Sequence, residues 1–254
     1  MKKILMIFAV LAVAFLAVAA SGCLGSDDKE SDKNITAAPA QSVIIYTDGD
    51  NVIAQMTVMI MGTHSQSIDK DNVTVNINGT NVDVFVPAVT TSDVNTRDIG
   101  YENVTVILGK TKDFKEGTAY TVTVGGKTDA MNKYGFEIVD GTLYSFRAAN
   151  IDSVTVAADG NNITATAVIA IGGGSNSVDK ENITAATGYN TDNEFDIYIP
   201  LKIRDGPSTM EMKWGEEKFT IGQLNTMKDG TYTVNVNGYT VLFTIESGKL
   251  TIND

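Results

Sequence analysis

The only histidine of the chain, His64, is the residue on which any acid–base chemistry would have to rest. It lies in the segment Gly62–Ser65, and Ser65 and Ser67 are near enough in sequence to be considered as nucleophiles. A Ser-His-Asp hydrolase also needs a sharp turn at the nucleophile and an oxyanion loop, and neither pattern occurs here. The sequence therefore predicts that His64 is a loop residue, that no residue is catalytic and that the protein is not an enzyme.

Four aspartates, Asp48, Asp50, Asp69 and Asp71, offer the oxygen ligands that calcium prefers. Calcium needs about six to eight oxygens around one point, and no segment of the chain contains a complete EF-hand loop. Asp and Asn also favour turns, because their side chains hydrogen-bond the local backbone. We therefore expect turn residues without a metal or cofactor, and calcium at these aspartates is the alternative. Their acidic counterparts in the second half are Asp159, Asp179 and Glu181.

Trp214 is the sole tryptophan and the residue best suited to stacking on a ligand. Met210, Met212 and Trp214 alternate along the sequence, which places them on one face of a strand. We expect this face to point into the core. The alternative is an outward-facing Trp214 whose ring offers a platform for sugars, which makes Trp214 the candidate ligand-stacking residue.

Cys23, the only cysteine, stands directly after an apolar leader. Lys2 and Lys3 precede an uncharged apolar run from Ile4 to Ala20, and small residues then lead to Cys23. A short positive region, an apolar stretch and a small-residue junction are the layout of a secretory signal. The sequence therefore predicts an exported protein.

The junction Ala20–Cys23 resembles the lipobox of prokaryotic lipoproteins, although Ala20 stands where that family usually has leucine. The continuation Cys23–Gly25 is similar to that of archaeal lipoproteins. The resemblance implies cleavage of a signal peptide at residues 1–22 and lipidation of Cys23. The protein would then be anchored to the outer face of the cell membrane, outside the cytoplasm. An uncleaved membrane anchor and plain secretion are the alternatives.

The chain is acidic, with 31 acidic and 19 basic residues and a net charge of −12. This charge argues against nucleic acid as a partner, because nucleic-acid binding needs a basic surface. A single cysteine permits no internal disulfide, so stability must come from core burial. Asn-x-Ser/Thr sequons mark candidate glycosylation sites of an exported protein. These sites are Asn34, Asn72, Asn78, Asn103, Asn162 and Asn182.

The sequence after the leader is a tandem repeat, because segments match in the same order at an offset of roughly 110 residues. A unit of that length is the size of a domain rather than of a solenoid repeat. The matching segments are Asp48–Asn51 with Asp159–Asn162, Ile68–Thr74 with Val178–Thr184, Val82–Pro87 with Phe195–Pro200, Lys115–Thr118 with Lys228–Thr231, and Tyr120–Val124 with Tyr232–Val236.

Apolar and polar residues alternate in both halves, as in Val73–Asn78 and Ile163–Ile171. This period of two predicts strands with one buried and one exposed face, and hence an all-β fold. Turn dipeptides separate the strands, and Asn237-Gly238 predicts a two-residue hairpin.

We therefore predict two tandem antiparallel β-sandwich domains at residues 42–149 and 150–254. A flexible, polar, lipid-anchored linker at residues 23–41 is expected to precede them, with ordered structure beginning at Val43.

Gly117–Val124, Thr128–Ala130, Gly135 and Leu143–Phe146 together resemble the C-terminal half of bacterial Ig-like domains, which occur in S-layer and other surface proteins. The family has a Tyr-x-Val-x-Val strand, an Asp-x-x-Gly turn and a closing Tyr-Ser-Phe strand. Gly135 lies six residues after Asp129 rather than three, and the second repeat lacks the Asp turn. The resemblance implies two Ig-like domains and a structural or spacer role rather than a chemistry.

The predicted function is that of a cell-surface lipoprotein with a structural or adhesive role or a role in binding envelope proteins, without catalysis. Its expected partners are the membrane, through the lipid anchor, and envelope proteins or surface glycans. The alternative function is a glycan or small-solute binding module, assisted or not by calcium.

Overall fold

The computed structural model describes residues 34–62, 65–90, 98–126, 133–187, 193–207, 209 and 211–253. Most of these residues lie in strands, because apolar and polar side chains alternate along them. The helical segments among the described residues are single 3-10 turns at Lys70–Asn72, Thr111–Asp113 and Lys180–Asn182. The predicted all-β fold is confirmed.

The strands fall into two series, one for each half of the chain. The first series is β1 (Ile35–Ala37), β2 (Ala40–Asp48), β3 (Asn51–Met61), β4 (Gln66–Ile68), β5 (Thr74–Asn78), β6 (Asn81–Phe85), β7 (Pro87–Thr90), β8 (Ile99–Lys110), β9 (Tyr120–Val124), β10 (Tyr134–Val139) and β11 (Thr142–Ala148). The second series is β12 (Asn150–Asp159), β13 (Asn162–Gly172), β14 (Asn176–Val178), β15 (Thr184–Thr187), β16 (Glu194–Tyr198), β17 (Pro200–Arg204), β18 (Lys213–Gln223), β19 (Gly230–Val236), β20 (Tyr239–Glu246) and β21 (Lys249–Asn253).

The sheets of the second half repeat those of the first. The three-stranded sheet β2-β3-β8 corresponds to β12-β13-β18, and β5-β6-β9-β10-β11 corresponds to β15-β16-β19-β20-β21. Strand pairs are antiparallel except for β6 with β9 and β16 with β19, which are parallel and occupy equivalent places. The tandem repeat of the sequence is therefore also a repeat of strand topology.

The last strand of the first repeat continues into the second repeat. β11 pairs with β17 with Ala148 opposite Pro200, which extends the long sheet to the order β14-β17-β11-β10-β9-β6-β5. β1 pairs with β7 in the same register, with Ala37 opposite Pro87. The pairing of β1 with β7 is therefore equivalent to the pairing of β11 with β17.

Two hydrophobic clusters lie between the sheets, one in each repeat. Each cluster receives side chains from its three-stranded sheet and from the longer sheet, because alternate residues of both point inward. Fully buried residues of the first cluster include Val52, Met56, Val82 and Phe136. Those of the second include Ile163, Ile169, Val234 and Phe243. Burial of each such side chain contributes about 1.5–3 kcal/mol, so these clusters are the main source of stability.

The prediction of a flexible linker at residues 23–41 is wrong for residues 34–41, the part of it that the structure describes. β1 starts at Ile35 and β2 at Ala40, so strand structure begins before Val43. Ala38 and Ala40 are buried, because small side chains fit against the sheet. The three residues of β1 are exposed, and the strand is held by main-chain pairing with β7. The sequence therefore shows no alternation of apolar and polar residues that would predict it. The division into two domains at residue 150 stays a prediction, and Lys33–Asp254 form one compact unit.

The predicted hairpin at Asn237-Gly238 is confirmed. Val236 pairs with Tyr239 across this two-residue turn, which joins β19 to β20. Both turn residues have positive φ, 47° for Asn237 and 90° for Gly238, as the favoured two-residue turns require. The turn thereby sets the register of these two strands.

Candidate functional site

We call the region where β11 of the first repeat pairs with β17 of the second the joint. It brings charged and aromatic side chains together. Lys202 of β17 forms an ion pair with Glu137 of β10, and both side chains are partly buried. The ammonium nitrogen of Lys202 also lies 4.6 Å from the ring centroid of Tyr144 and 5.5 Å from that of Phe146. These contacts arise because β17 lies beside β11, which carries both rings. They hold the joint by charge as well as by main-chain pairing.

Tyr198 makes a second set of contacts across the joint. The ammonium nitrogen of Lys133 lies 4.6 Å from the centroid of the Tyr198 ring. The Tyr198 hydroxyl donates a hydrogen bond to the Lys133 carbonyl oxygen at 3.4 Å. Burial, with smaller contributions from the Asp179 carboxylate and from Tyr134, raises the pKa of Tyr198 to about 12. The phenol is therefore a hydrogen-bond donor at neutral pH and not a base.

Asp205 follows β17 and ties it to the first repeat at two points. Its carboxylate accepts a hydrogen bond from the Thr47 amide at 2.7 Å and another from the Thr47 hydroxyl. The Asp205 amide donates to the Leu143 carbonyl oxygen at 2.9 Å. The turn after β17 is thus bonded to both β2 and β11.

Two of the concave surfaces that border the joint combine polar groups with aromatic rings. One is a cavity of about 330 Å³ whose walls include Lys133, Tyr134, Asp179, Glu181, Tyr198 and Lys202. The other is a groove of about 1170 Å³ whose walls include Ile44, Arg147, Asn150, Asn237 and Tyr239. Hydroxyl, amide and charged groups beside aromatic rings can bind a polar solute.

The predicted inward position of Trp214 is wrong. Trp214 lies on β18 with 54% of its surface exposed, and Met212 is 62% exposed. Phe219 and Ile221, on the opposite face of β18, pack against the second core instead. Alternation establishes which residues share a face, but a one-residue difference reverses which face is buried. Met210 lies outside the described residues.

Tyr101 is a second exposed aromatic residue, which the sequence reasoning missed. It is 53% exposed on β8 and stands opposite Met59. Trp214 stands opposite Ala170, the residue of β13 that corresponds to Met59 of β3. Each repeat thus carries an exposed aromatic ring at the same place on its three-stranded sheet. The repeat register could have revealed this, once Trp214 was placed outward.

The aspartates considered as calcium ligands lie in or beside turns, and Asp69 accepts a local hydrogen bond there. Asp69 accepts a hydrogen bond from the side chain of Asn72 at 2.7 Å, and its counterpart Asp179 accepts one from Asn182 at 2.8 Å. Asp48 ends β2 at a two-residue turn, Asp50 follows Gly49 in that turn, and Asp71 lies in a 3-10 turn. Within the described part of the chain, no three His, Cys, Asp or Glu residues converge as metal ligands.

All six sequon asparagines are exposed, so their side chains are accessible. Their glycosylation stays a prediction. Asn34 directly precedes β1, Asn72 and Asn182 end 3-10 segments, and the other three lie on strands. The side-chain oxygen of Asn103 accepts a hydrogen bond from the Thr57 hydroxyl at 3.2 Å on the face that carries Tyr101. The six residues are Asn34, Asn72, Asn78, Asn103, Asn162 and Asn182.

Cys23 and His64 lie outside the described residues. Ser65 is buried, and its hydroxyl donates to the Gly62 carbonyl oxygen at 3.1 Å, so it stabilises the local turn. From Asn34 onward, in the described residues, no helix is long and apolar enough to cross a membrane.

No family model, no curated protein and no solved structure matches this chain. The resemblances to lipoproteins and to bacterial Ig-like domains therefore stay predictions from the residues that carry them.

Proposed function

We propose that this protein is a non-catalytic spacer on the outer face of the cell membrane. A lipid at Cys23 anchors it, and two Ig-like β-sandwich domains hold a contact surface at a set distance from the membrane. The role is structural or adhesive, and the contacts are with other envelope components. The pairing of β11 with β17 is the observation that supports this function best.

A spacer must resist bending between its domains, and the joint has the contacts that this requires. β11 enters β12 through Ala149, which is buried, so no flexible linker separates the repeats. Five residue pairs join β11 to β17, and the contacts of Lys202 and Asp205 add to them. Each net hydrogen bond contributes about 0.5–1.5 kcal/mol, so bending the joint costs several such terms together.

Distance measurements between spin labels test the spacer role. Cys23→Ser removes the only thiol, and Lys112→Cys with Glu246→Cys then places one label on an exposed position of each repeat. The labelled protein is diluted with an excess of unlabelled chains, so that only distances within one chain are measured. We then expect a single narrow distance distribution, which broadens when Lys202→Ala and Asp205→Ala are combined. The matched control combines Lys218→Ala with Asp159→Ala, an exposed ion pair within the second repeat. A broad distribution before any joint residue is changed would refute the proposal.

Lipid labelling tests the anchor independently. Cys23→Ser removes the acceptor thiol, so we expect loss of lipid incorporation and either release into the medium or an unprocessed precursor. Cell fractionation and metabolic labelling measure both effects. Undiminished labelling of the variant would show that Cys23 is not the anchor.

Glycan binding is a second candidate function, favoured by the exposed rings of Trp214 and Tyr101. Flat aromatic surfaces bury large apolar area against a sugar at low entropic cost. Because Trp214 is the sole tryptophan, its fluorescence reports on that site alone. A panel of oligosaccharides should change this emission. Calorimetry, which does not need the tryptophan, should show that Trp214→Ala abolishes binding while Trp214→Phe retains part of it. Binding that survives Trp214→Ala would exclude this site.

A further inference from the structure

β21 forms an edge of its sheet, and no strand of the described residues pairs with its outer side. Its counterpart in the first repeat is β11, because Ile245 pairs with Leu250 as Ile138 pairs with Leu143. β11 is paired on both sides, with β10 and with β17. The same edge is thus covered in one repeat and open in the other.

Burial differs accordingly at equivalent positions. Ser145 of β11 is 8% exposed, whereas its counterpart Ile252 of β21 is 41% exposed. Natural edge strands usually avoid pairing by means of a central lysine, a proline or a bulge. β21 pairs with β20 over five residues without a bulge, and its one charged residue, Lys249, lies at its start. The open edge is therefore regular, apolar on one face and able to pair.

The hairpin between β20 and β21 determines which backbone groups point outward. Glu246 and Lys249 form the pair that closes its two-residue turn, so the backbone groups of Lys249 face β20. Successive residues of an antiparallel strand direct these groups to opposite sides. Those of Leu250 and Ile252 therefore point away from β20. Leu143, the counterpart of Leu250, uses its outward carbonyl oxygen to accept an amide hydrogen bond from the second repeat at 2.9 Å.

We propose that β21 pairs with β21 of a second copy of this chain, antiparallel and related by a two-fold axis at Thr251. Leu250 of each copy then lies opposite Ile252 of the other, and each of these two pairs exchanges two main-chain hydrogen bonds. The inference rests on the structural role proposed above and names a second copy as the envelope partner. The paired sheets form one continuous sheet across the dimer.

Self-complementarity favours a second copy over an unrelated strand. A shift of one residue would place outward backbone groups opposite inward ones, and a shift of two would leave Leu250 or Ile252 without its apolar partner. With Thr251 on the axis, both apolar residues are matched and the two threonines face each other, a pair that is favourable across antiparallel strands. Two-fold dimers require such a surface, in which the same patch serves both copies. The β11–β17 joint shows that this type of edge accepts an antiparallel strand of the same chain.

Disulfide trapping tests the register. In the full-length chain with Cys23→Ser, Thr251→Cys provides the only thiol at a position where the two Cβ atoms would be about 4.5–5.5 Å apart. We expect at least about tenfold more disulfide-linked dimer than for Thr240→Cys, an exposed control position on β20, because paired thiols have a high effective concentration. Equal cross-linking at both positions, or none at Thr251→Cys, would overturn the proposal.

Proline substitution tests the edge without disturbing the hairpin. Ile252→Pro removes an outward amide and leaves the pairing with β20 intact, and Ile252→Lys places a charge in the apolar contact. Light scattering of the detergent-solubilised chain should show a dimer for the unsubstituted protein and a monomer for both variants, with unchanged circular dichroism. A dimer that persists in both variants would overturn the proposal, and so would a monomeric unsubstituted protein. A monomer that still gives a narrow distribution of distances between spin labels at positions 112 and 246 would leave the spacer role intact.

Discussion

Thr47 and Asp205 lie 158 residues apart in the chain and are joined by two hydrogen bonds, from the Thr47 amide and hydroxyl to one carboxylate oxygen of Asp205. Thr47 belongs to the first repeat and Asp205 to the second. The contact orients the turn after β17 against β2, beside the pairing of β11 with β17. A single substitution at Asp205 removes both bonds and should weaken the joint.

Asp205→Ala should lower stability by about 1–3 kcal/mol, because a partly buried Thr47 amide loses its charged acceptor. Urea unfolding measures this change. Asp152→Ala is the matched control, since Asp152 is exposed on β12, and it should stay within about 0.5 kcal/mol of the unsubstituted protein. Equal effects of the two substitutions would show that the Asp205 contacts do not stabilise the joint.

Alkaline pH should destabilise the protein through Tyr198. Its pKa is about 12 when folded and near its ordinary value of 10.0 when unfolded, so the folded state holds the proton more tightly. The contribution is fully present below about pH 10 and is lost as the pH rises towards about 12. Tyr198→Phe should remove this part of the pH dependence, measured as the difference in unfolding free energy between the two proteins. Parallel pH profiles would contradict the raised pKa.

Trp214→Ala should change stability by no more than about 0.5 kcal/mol, because the side chain is more than half exposed. Phe243→Ala, in the second core, should cost about 3–5 kcal/mol. Denaturant unfolding compares the two, and acrylamide should quench Trp214 efficiently in the folded protein. A cost for Trp214→Ala similar to that for Phe243→Ala would place the ring in the core after all.

Chelation should leave the melting temperature nearly unchanged, because the Asp69 and Asp179 carboxylates already accept local hydrogen bonds. Differential scanning calorimetry with and without EDTA measures this. A marked fall that calcium alone reverses would restore the calcium alternative.

Local features were predicted well because their causes are local. The Asn237-Gly238 turn depends on two residues that accept positive φ, and the strands depend on alternation over a few positions. The aspartates at Asp69 and Asp179 act in turns for the same reason. Each of these features can be read from a short segment.

The errors concern contacts between distant segments. Trp214 was assigned to the wrong face because alternation is symmetric with respect to the two faces of a strand. The strand at Ile35–Ala37 was missed because its pairing with β7 uses main-chain groups that every residue has. The sequons and the lipid anchor stay predictions.

The sequence by itself determined the all-β class, the tandem repeat and the position of the turns, since period, turn chemistry and self-similarity are local or periodic properties of the chain. Tertiary structure alone decided that β11 pairs with β17, that Thr47 meets Asp205, and that Tyr101 and Trp214 face solvent. It also decided that, among the described strands, none covers the outer edge of β21. These outcomes depend on which strands come to lie side by side, and main-chain hydrogen bonding does not encode its partner in any residue type.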